Sequence, residues 1–404
     1  MKAYLDLHIH SKYSTAVSRE MNLPEIAREA ARKGVRIVGT GDCLFPKWLN
    51  EIKKLPNSEG IFSLGETYFV LSVEVEDSSR VHHIILVPGL SKAEELRERF
   101  ASHSSTLDTD GRPKLHMDGA EIADTAFEAE CLLGPSHSFT PWTGIYAHYK
   151  SLKECYLEKS DHIKFIELGL SADTDYADRI AELSNMTFLS NSDAHSPKSN
   201  KLAREFNEME ISAFNFQEIK MAICREKGRR TTLNVGLYPE EGKYNRTACS
   251  SCYRQFTRSQ MDDFSGRCPF CNGIIKLGVR DRVDRLADYQ SPVHPDHRPP
   301  YLHIIPLTEI IAMALGVKTP YTTSVQKCWN ELMAERTEID ILLCANLSNL
   351  EAEPRVIKAI DAFRSGRVVI NPGGGGKYGE IHLPAPSQES FISQSRNQTS
   401  LLDY

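Results

Sequence analysis

The sequence predicts an α/β protein followed by a cysteine-bearing module and a mostly helical region. Up to about residue 230, short β-type runs alternate with amphipathic segments, which is typical of parallel strands joined by helices in a barrel or an open wound sheet. Two CxxC pairs then follow, and the apolar residues beyond them recur at helical spacing. We therefore expect domains over residues 1–230, 231–280 and 281–385, and a flexible tail over 386–404.

The first domain is defined by its alternating pattern. Its predicted strands are Tyr4–Ile9, Val35–Thr40, Tyr68–Val75, His83–Val87, Cys131–Pro135, Lys164–Leu168 and Phe188–Asn191. Its predicted helices are Leu23–Lys33, Lys92–Ala101, Gly119–Glu130 and Thr174–Ser184. In the third domain, a loop-like HPDHRPPYLHIIP segment precedes helical patterns over Leu307–Leu315 and Ser324–Glu335.

Length, composition and cysteine use narrow the class of protein. The 404 residues, 41% hydrophobic and 25% charged, suit a globular chain of two or three domains. We expect a cytoplasmic protein with no membrane partner, because the start lacks a signal-peptide pattern and no apolar run approaches about 18 residues. Six of the ten cysteines are scattered and four form two CxxC pairs, which favours metal binding over a disulfide framework.

Ligand-type side chains lie at the ends of almost all predicted strands of the first domain. Alternation sends His8 and His10 to the same face of their strand. The others, in chain order, are Asp42, Glu74, His82, His83, His137, Asp193 and His195. Carboxyl ends of parallel strands converge on one mouth, although His82 and His83 precede their strand. Any single residue could be a loop cap, but imidazoles and carboxylates together are what two or three closely spaced Zn, Mg or Mn ions need.

The motifs HIH, GTGDC, LSVEVED, HHIILVPG, GPSHSF and SDAH together resemble the polymerase and histidinol phosphatase (PHP) domain. Members form a distorted (β/α)7 barrel with up to three metals at its mouth. The resemblance implies the ligands His8, His10, Asp42, Glu74, His83, His137, Asp193 and His195, with Glu74, Asp193 and His195 as catalytic residues. His83 is preferred to His82 because the IILV run after it matches the family's strand. Cys43 and Ala16 depart from the pattern, so one metal site differs from that of many relatives.

The second domain carries a metal-binding spacing within a basic segment. Cys249 and Cys252 precede Cys268 and Cys271 by fifteen residues, which predicts a structural zinc ribbon, with a redox CxxC as the alternative. Lys243–Arg285 holds nine basic and four acidic residues. The basic and aromatic side chains favour DNA contact over a ribbon that only packs on a neighbour; they are Arg246, Arg254, Arg258, Arg267, Tyr253, Phe256 and Phe270.

Two further segments carry short motifs. The glycine-rich NPGGGGKYGEIHL stretch lacks Walker A spacing, and both a DNA-backbone contact and a plain β-turn remain open for it. In the tail, Gln398, Leu401 and Tyr404 match most of the peptide by which replication and repair proteins bind the sliding clamp. Chance occurrence is the alternative for so short a motif.

The whole arrangement is similar to the endonuclease Q family of DNA repair enzymes from archaea and some bacteria. That resemblance implies a metal-dependent endodeoxyribonuclease associated with the nucleoid, acting on double- or single-stranded DNA. Cleavage would be 5′ to a deaminated base (uracil, hypoxanthine or xanthine) or an abasic site. The alternatives are a PHP-type exonuclease or phosphatase, and a non-catalytic DNA-binding or clamp-recruited scaffold.

Recognition of a deaminated base requires a pocket that receives the flipped base. Glu167, Ser171 and Asn191 are polar residues near the predicted mouth that are not obvious ligands. An Asn amide can donate to the carbonyl and accept from the N–H that uracil and hypoxanthine share, so Asn191 or Ser171 is expected to contact the base. Strand-end hydrogen bonding is the alternative. Phe139 and Trp142 are expected to belong to the core, with stacking on a base as the alternative.

Overall fold

A ten-stranded mixed sheet forms the centre of the computed structural model, which describes residues 1–384. The strands in chain order are β1 (Lys2–Asp6), β2 (Ile37–Gly39), β3 (Asn57–Ser58), β4 (Ile61–Leu64), β5 (Thr67–Glu76), β6 (His82–Val87), β7 (Leu132–Pro135), β8 (Phe165–Glu167), β9 (Thr187–Leu189), β10 (Phe206–Glu210), β11 (Arg230–Gly236), β12 (Ala248–Cys249), β13 (Ile275–Lys276), β14 (Tyr301–His303), β15 (Val369–Asn371) and β16 (Glu380–His382). The large sheet follows the order β14-β11-β10-β1-β2-β5-β4-β3, with β6 joined to β5 and β7.

Helices cover the outside of this sheet and build the C-terminal region. The α-helices are α1 (Leu23–Lys33), α2 (Pro46–Ile52), α3 (Leu90–Ala101), α4 (Gly119–Glu128), α5 (Ile145–His148), α6 (Leu152–Tyr156), α7 (Thr174–Ala177), α8 (Phe216–Cys224), α9 (Arg258–Asp263), α10 (Val279–Leu286), α11 (Leu307–Leu315), α12 (Thr323–Leu332) and α13 (Pro354–Arg364). No helix within residues 1–384 has both the length and the apolar character that a membrane crossing requires.

The helix α1 has the bounds that the sequence predicts. Asn22 caps its start by accepting a hydrogen bond from the N–H of Glu25, and Gly34 ends it with a left-handed φ of 94°. The side chains of Leu23, Ile26 and other apolar residues of α1 are buried against the sheet. Local capping signals and one apolar face therefore suffice to define this element.

Parallel pairing, which the sequence predicts throughout the first domain, holds for only part of it. β2 runs parallel to β1 and β5, and β8 runs parallel to β9. β6 is antiparallel to both β5 and β7. Only residues 77–81 connect β5 to β6, which is too short for a crossover helix and makes the pair a hairpin. The start of β6 therefore lies beside the carboxyl end of β5, at the same end of the sheet as the other strand ends.

The last strands of the first domain lead back to the first strand. Gly134 of β7 approaches the carbonyl oxygen of Phe165 in β8 so closely that a Cβ would collide with it. After β9, the chain returns to the segment that follows β1, where the N–H of His10 donates to the carbonyl of Ala194 at 3.0 Å. The ends of β1, β2, β5 and β9 thus open onto one region.

Five strands of the large sheet are absent from the sequence-based prediction, namely the short β3 and β4 at one edge, and β10, β11 and β14. β10 pairs antiparallel with β1, and β11 pairs with β10. Residues 231–236, predicted to begin the ribbon, therefore belong to the large sheet. β14 lies in the segment predicted as a loop and extends the sheet parallel to β11. It follows two prolines and spans three residues, so its sequence carries no alternation that could identify it.

The C-terminal region packs α11 against α12 and α13 and contacts the first domain through a buried ion pair. The α11 bounds match the predicted Leu307–Leu315, whereas α12 covers Thr323–Leu332 rather than Ser324–Glu335. Lys33 at the end of α1 lies 3.1 Å from Glu338, and both side chains are almost fully buried. The predicted clamp-binding motif lies outside the described residues.

Candidate metal centre

Two imidazoles and one carboxylate form the middle of the site. The Nε2 atom of His8 lies 3.5 Å from Oε1 of Glu74, and Nε2 of His10 lies 3.4 Å from Oε2 of the same carboxylate. All three side chains are almost completely buried. Glu74 therefore presents one oxygen to each imidazole, as a carboxylate that bridges two ions would do.

Further ligand-type groups continue from this middle on both sides. On one side, Oδ1 of Asp193 lies 3.2 Å from Nε2 of His10 and 3.3 Å from Nε2 of His195. On the other side, Glu74 Oε1 lies 3.0 Å from Nε2 of His137 and 3.1 Å from Nδ1 of His82. Three groups of candidate ligands are thus linked, because the middle group shares His10 with the Asp193 group and Glu74 with the His82 group. The chemistry of these donors suits two or three divalent ions.

Buried atoms without hydrogen bonds support this fit. Within the described chain, Nε2 of His8, Nε2 of His10 and Oδ1 of Asp193 are buried and make no hydrogen bond that meets normal geometry. An unsatisfied buried polar atom costs free energy, and binding to a metal ion would satisfy all three.

The backbone is strained where several of these side chains are presented. Asp42, His137 and Asp193 adopt positive φ angles of 51°, 28° and 47°. Such angles are uncommon for residues other than glycine and cluster at functional sites. They occur in the turns that follow strands, where each side chain is directed into the site.

His83, which the sequence predicts as a ligand, does not face this cluster. Its Nδ1 atom lies 2.7 Å from the hydroxyl of Tyr156 and its Nε2 atom lies 3.3 Å from Oδ2 of Asp77. Successive side chains of a strand point to opposite faces, so only one of His82 and His83 can reach Glu74. The structure brings His82 to the cluster.

Asp42 and Glu167 lie behind the central imidazoles. Oδ1 of Asp42 is 3.2 Å from Nδ1 of His10, and Oε2 of Glu167 is 2.8 Å from Nδ1 of His8. Asp42 also accepts a hydrogen bond from the N–H of Ser11. Each carboxylate thus fixes an imidazole with Nε2 directed at the centre, as outer partners of metal-bound histidines do. This position differs from the predicted roles of Asp42 as a ligand and Glu167 as a base-contacting residue.

The charges of the centre stabilise one another. Burial alone would lower the pKa of His8, but the carboxylates of Glu167 and Glu74 outweigh it and raise that pKa to about 9. Burial would raise the pKa of Glu74, but the imidazoles of His82 and His8 outweigh it and hold the pKa well below its usual range. The cluster therefore keeps its carboxylate anionic, which is the form that binds cations.

The remaining residues predicted near the mouth occupy different environments. Asn191 is 1% exposed, and its Oδ1 accepts from the N–H of Leu7 and from Nδ2 of Asn207. Both lone pairs of this oxygen are thus occupied, so Asn191 has no free acceptor for the base N–H that it is predicted to bind. Ser171 is partly exposed in the turn after β8. Phe139 is buried, as predicted.

Trp142 is half-exposed, which contradicts its predicted place in the core. It lies on the loop that begins at His137, and the carbonyl of the next residue, Thr143, accepts the N–H of His82. The loop that carries the ring is therefore anchored to a residue of the candidate metal centre.

Arg112 is a charged residue of the site that sequence reasoning missed. Its Nη1 atom lies 3.3 Å from Oε2 of Glu74, and its side chain is 27% exposed. It belongs to the irregular segment between α3 and α4, which has neither a strand pattern nor a ligand motif. No signal in the sequence singles it out.

The four cysteines of the two CxxC pairs lie together in the second region. The Sγ atoms of Cys249 and Cys271 are 3.5 Å apart, and those of Cys252 and Cys268 are 3.7 Å apart. All four sulfurs lie within one cluster that could hold a metal ion. The six other cysteines are free as well, so the described chain contains no disulfide.

The glycine-rich segment packs against this cluster. The N–H of Arg246 donates to the carbonyl of Gly373, and a Cβ on Gly375, whose φ is 66°, would collide with the carbonyl of Cys249. Contact with the first CxxC pair therefore accounts for glycine at position 375, whereas a Cβ on Gly373 would collide with Gly379 and Lys377 of its own segment.

The chain is similar over almost its full length to proteins of known structure. The crystal structure of the lesion-specific endonuclease PfuEndoQ from Pyrococcus furiosus superposes with a TM-score of 0.92 at 45% identity, covering 98% of each chain. A structure of endonuclease Q in complex with a 27-mer duplex substrate, with an abasic lesion at the active site, superposes with a TM-score of 0.89 at 45% identity, covering 98% of this chain and 99% of that chain.

Comparison of sequences finds relatives that match parts of the chain. The uncharacterized protein MJ0043 of Methanocaldococcus jannaschii is 44% identical over 260 residues, which are 63% of this chain but only 32% of that protein, so this chain spans about a third of it. Residues 306–367 match the family model of the MJ0043 C-terminal domain. The identity of 45% to the Pyrococcus enzyme over 98% of both chains means that this chain belongs to the endonuclease Q family.

Proposed function

We propose that the protein is a metal-dependent DNA repair endonuclease that hydrolyses the phosphodiester 5′ to a deaminated base or an abasic site. The observation that carries this proposal is the row of three candidate ligand groups, in which His10 and Glu74 each link the middle group to one neighbour. Linked sites of this kind suit phosphodiester hydrolysis, because adjacent ions can bind the attacking and leaving oxygens of one phosphate. The duplex with an abasic lesion bound by the related endonuclease Q supports DNA as the partner.

The roles of the side chains follow from their positions. His8, His10, Glu74, His82, His137, Asp193 and His195 would hold the ions, which would be Zn, Mg or Mn. Bound divalent ions supply Lewis acidity and lower the pKa of water. Glu167 and Asp42 keep Nε2 of His8 and His10 free by holding Nδ1. Asp193 and His195 are the proposed proton carriers, since they are the more exposed members of the cluster.

The rest of the chain would present the DNA. We infer that the first domain is a PHP barrel, and that the cysteine cluster is a zinc ribbon, because four thiolates at CxxC spacing form the usual structural zinc site. Arg254, Arg258 and Arg267 are exposed on this ribbon, and the guanidinium of Arg254 stacks 3.8 Å from the ring centroid of Phe270. Such a surface suits phosphates and bases.

Two further proposals concern specificity and recruitment. Ser171 is the proposed base-contacting residue, because it is partly exposed while Asn191 and Glu167 have their acceptors occupied. The tail residues Gln398, Leu401 and Tyr404 are the proposed clamp-binding motif. Deletion of the last seven residues should abolish co-elution with the sliding clamp without changing the cleavage of free DNA.

Nicking of defined duplexes tests the main proposal. End-labelled duplexes with one uracil, one hypoxanthine, one abasic site or no lesion are incubated with the protein and magnesium or manganese. We expect a single nick 5′ to the lesion that Glu74→Ala and Asp193→Ala abolish. The matched control is Glu66→Ala, which removes a carboxylate that is 78% exposed and outside the cluster.

The other outcomes identify the alternatives. Stepwise degradation from a DNA end would indicate an exonuclease, and release of inorganic phosphate alone would indicate a phosphatase. Tight DNA binding without cleavage under any metal would indicate a non-catalytic scaffold.

A further inference from the structure

Three aromatic rings and two lysines alternate along the surface between the first domain and the ribbon. We call this set, Trp142, Lys276, Tyr244, Lys243 and Tyr378, the aromatic–lysine strip. The ammonium of Lys276 lies 5.1 Å from the ring centroid of Trp142 and 5.6 Å from that of Tyr244. The ammonium of Lys243 lies 5.5 Å from the Tyr244 ring and 5.6 Å from the Tyr378 ring.

Parts of the chain that are far apart in sequence build the strip. Trp142 comes from the loop after β7, Tyr244 and the lysines flank the cysteine cluster in the sequence, and Tyr378 lies in the glycine-rich segment. Trp142 packs edge-on against Tyr244, with ring centroids 5.8 Å apart. The carbonyl of Thr143, the neighbour of Trp142 in the chain, accepts the N–H of His82, so the loop that carries Trp142 is anchored to a residue of the candidate metal centre.

The exposure of the strip argues against a purely structural role. Trp142 is 51% exposed and Tyr378 is 67% exposed. Rings that only joined two domains would be buried between them, because burial of aromatic surface is what stabilises such a contact. Half-exposed rings that alternate with ammonium groups instead offer exposed surface to a ligand with both flat apolar surfaces and negative charge.

A nucleic acid strand has this combination, but only where its bases are unstacked. Bases inside a duplex have their faces covered by neighbouring pairs, whereas extrusion of one nucleotide disrupts the stacking around it. Aromatic platforms that alternate with cations are typical of proteins that bind single strands. The anchor of the Trp142 loop at His82 connects the strip to the cluster, where a DNA strand would be distorted during cleavage.

We propose that the aromatic–lysine strip binds an unstacked stretch of DNA strand that leads away from the cleavage site. Bases stack on Trp142 and Tyr378, and the ammonium groups of Lys243 and Lys276 neutralise the phosphates between them. This proposal rests on the proposed function, because it assigns the strip to the DNA that the candidate metal centre cleaves.

Tryptophan fluorescence tests the strip directly. The chain contains three tryptophans, and Trp48 and Trp329 are buried at 0% and 2% exposure, so a ligand on the surface reports through Trp142. An oligothymidylate of about 15 nucleotides, which fits a typical single-strand site, is titrated into the full protein. We expect quenching and loss of acrylamide access to Trp142, and neither change in Trp142→Phe.

Binding measured by anisotropy of a labelled oligothymidylate extends the test to the other residues. Trp142→Ala and Tyr378→Ala should each weaken binding about tenfold, the effect of losing one stacked base. Lys243→Met and Lys276→Met should each reduce the slope of log K against log salt by about 0.7. Tyr289→Ala, which removes a 40% exposed ring outside the strip, is the matched control and should change neither quantity.

The outcomes distinguish a failure of the strip proposal from a failure of the proposed nuclease function. If Trp142 is not quenched, or if the strip variants bind like Tyr289→Ala, the strip does not bind DNA, even where the wild type nicks lesion duplexes. If quenching occurs and the strip variants weaken binding, the strip is a DNA site, even where nicking is absent and the proposed function fails.

Discussion

Replacement of Glu338 by alanine should destabilise the protein strongly, because this carboxylate is the shared partner of three buried donors. Its Oε1 atom accepts from Nζ of Lys33 at 3.1 Å and from the N–H of Leu307 at 3.2 Å, and its Oε2 atom accepts from Nε1 of Trp329 at 2.9 Å. The side chains of Lys33 and Glu338 are 1% and 3% exposed.

The expected size follows from what the substitution leaves behind. An uncompensated buried charge costs about 3–5 kcal/mol, and each unsatisfied neutral donor costs about 1–3 kcal/mol more. These costs overlap because the site can relax, so Glu338→Ala should lower the free energy of unfolding by at least about 3 kcal/mol. The double variant Lys33→Met, Glu338→Ala should recover part of this loss, since no charge remains buried.

Urea denaturation followed by circular dichroism measures the change. The matched control is Glu331→Ala, which breaks an exposed pair with Lys327 whose side chains are 60% and 74% exposed and should cost less than about 1 kcal/mol. Equal stability of Glu338→Ala and Glu331→Ala would refute the reasoning, as would a double variant that is less stable than Glu338→Ala alone.

Three other predictions concern the centre, a buried acid and the ribbon. His82→Ala should lower the content of bound divalent metal and slow lesion cutting by about a hundredfold or more, whereas His83→Ala should keep the metal content and the cutting rate. Metal analysis and nicking rates measure both quantities, and equal losses in the two variants would contradict the choice of His82 as the ligand. Burial raises the pKa of Glu205 from 4.5 to about 8, so the folded state holds a proton that the unfolded state releases, and stability is lost as pH rises from about 5 to 8. Glu205→Gln does not titrate, so its free energy of unfolding should rise by up to about 5 kcal/mol relative to that of the wild type over this range, at about 1.4 kcal/mol per pKa unit. Urea-stability profiles of the two proteins that run parallel from pH 5 to 9 would contradict this. Cys271→Ser should remove one zinc per chain while the metals of the first domain remain, and unchanged zinc content would exclude the ribbon site.

The sequence identifies elements whose signals are local. α1 has a capping asparagine, an apolar face and a terminal glycine, and its predicted bounds are those observed. β10 and β11 lack such signals because polar residues such as Asn207 and Asn234 point into the protein, where they bond each other. Strand assignment by apolar alternation fails where the buried face is itself polar.

The composition of the centre could be predicted, but the arrangement of its members could not. His8, His10, Glu74, His137, Asp193 and His195 lie together as expected. Asp42 and Glu167 are carboxylates near strand ends, as Glu74 is, so the sequence does not distinguish them from it. In the structure Asp42 and Glu167 lie at Nδ1 of an imidazole, where an outer partner of a metal-bound histidine would lie, whereas Glu74 lies at Nε2. The choice between His82 and His83 depends on the direction of β6, which the short 77–81 turn determines.

The glycine-rich segment makes the cysteine cluster dependent on a distant part of the chain. Besides the close approach of Gly375 to the carbonyl of Cys249, Nε2 of Gln255 donates to the carbonyl of Pro372, and the N–H of Gly376 donates to the carbonyl of Lys243. The cysteine cluster therefore depends on contacts from outside residues 231–280. A fragment that ends before residue 369, or residues 231–280 transplanted alone into another protein, would lose these contacts, so exchange of this module between proteins requires both segments.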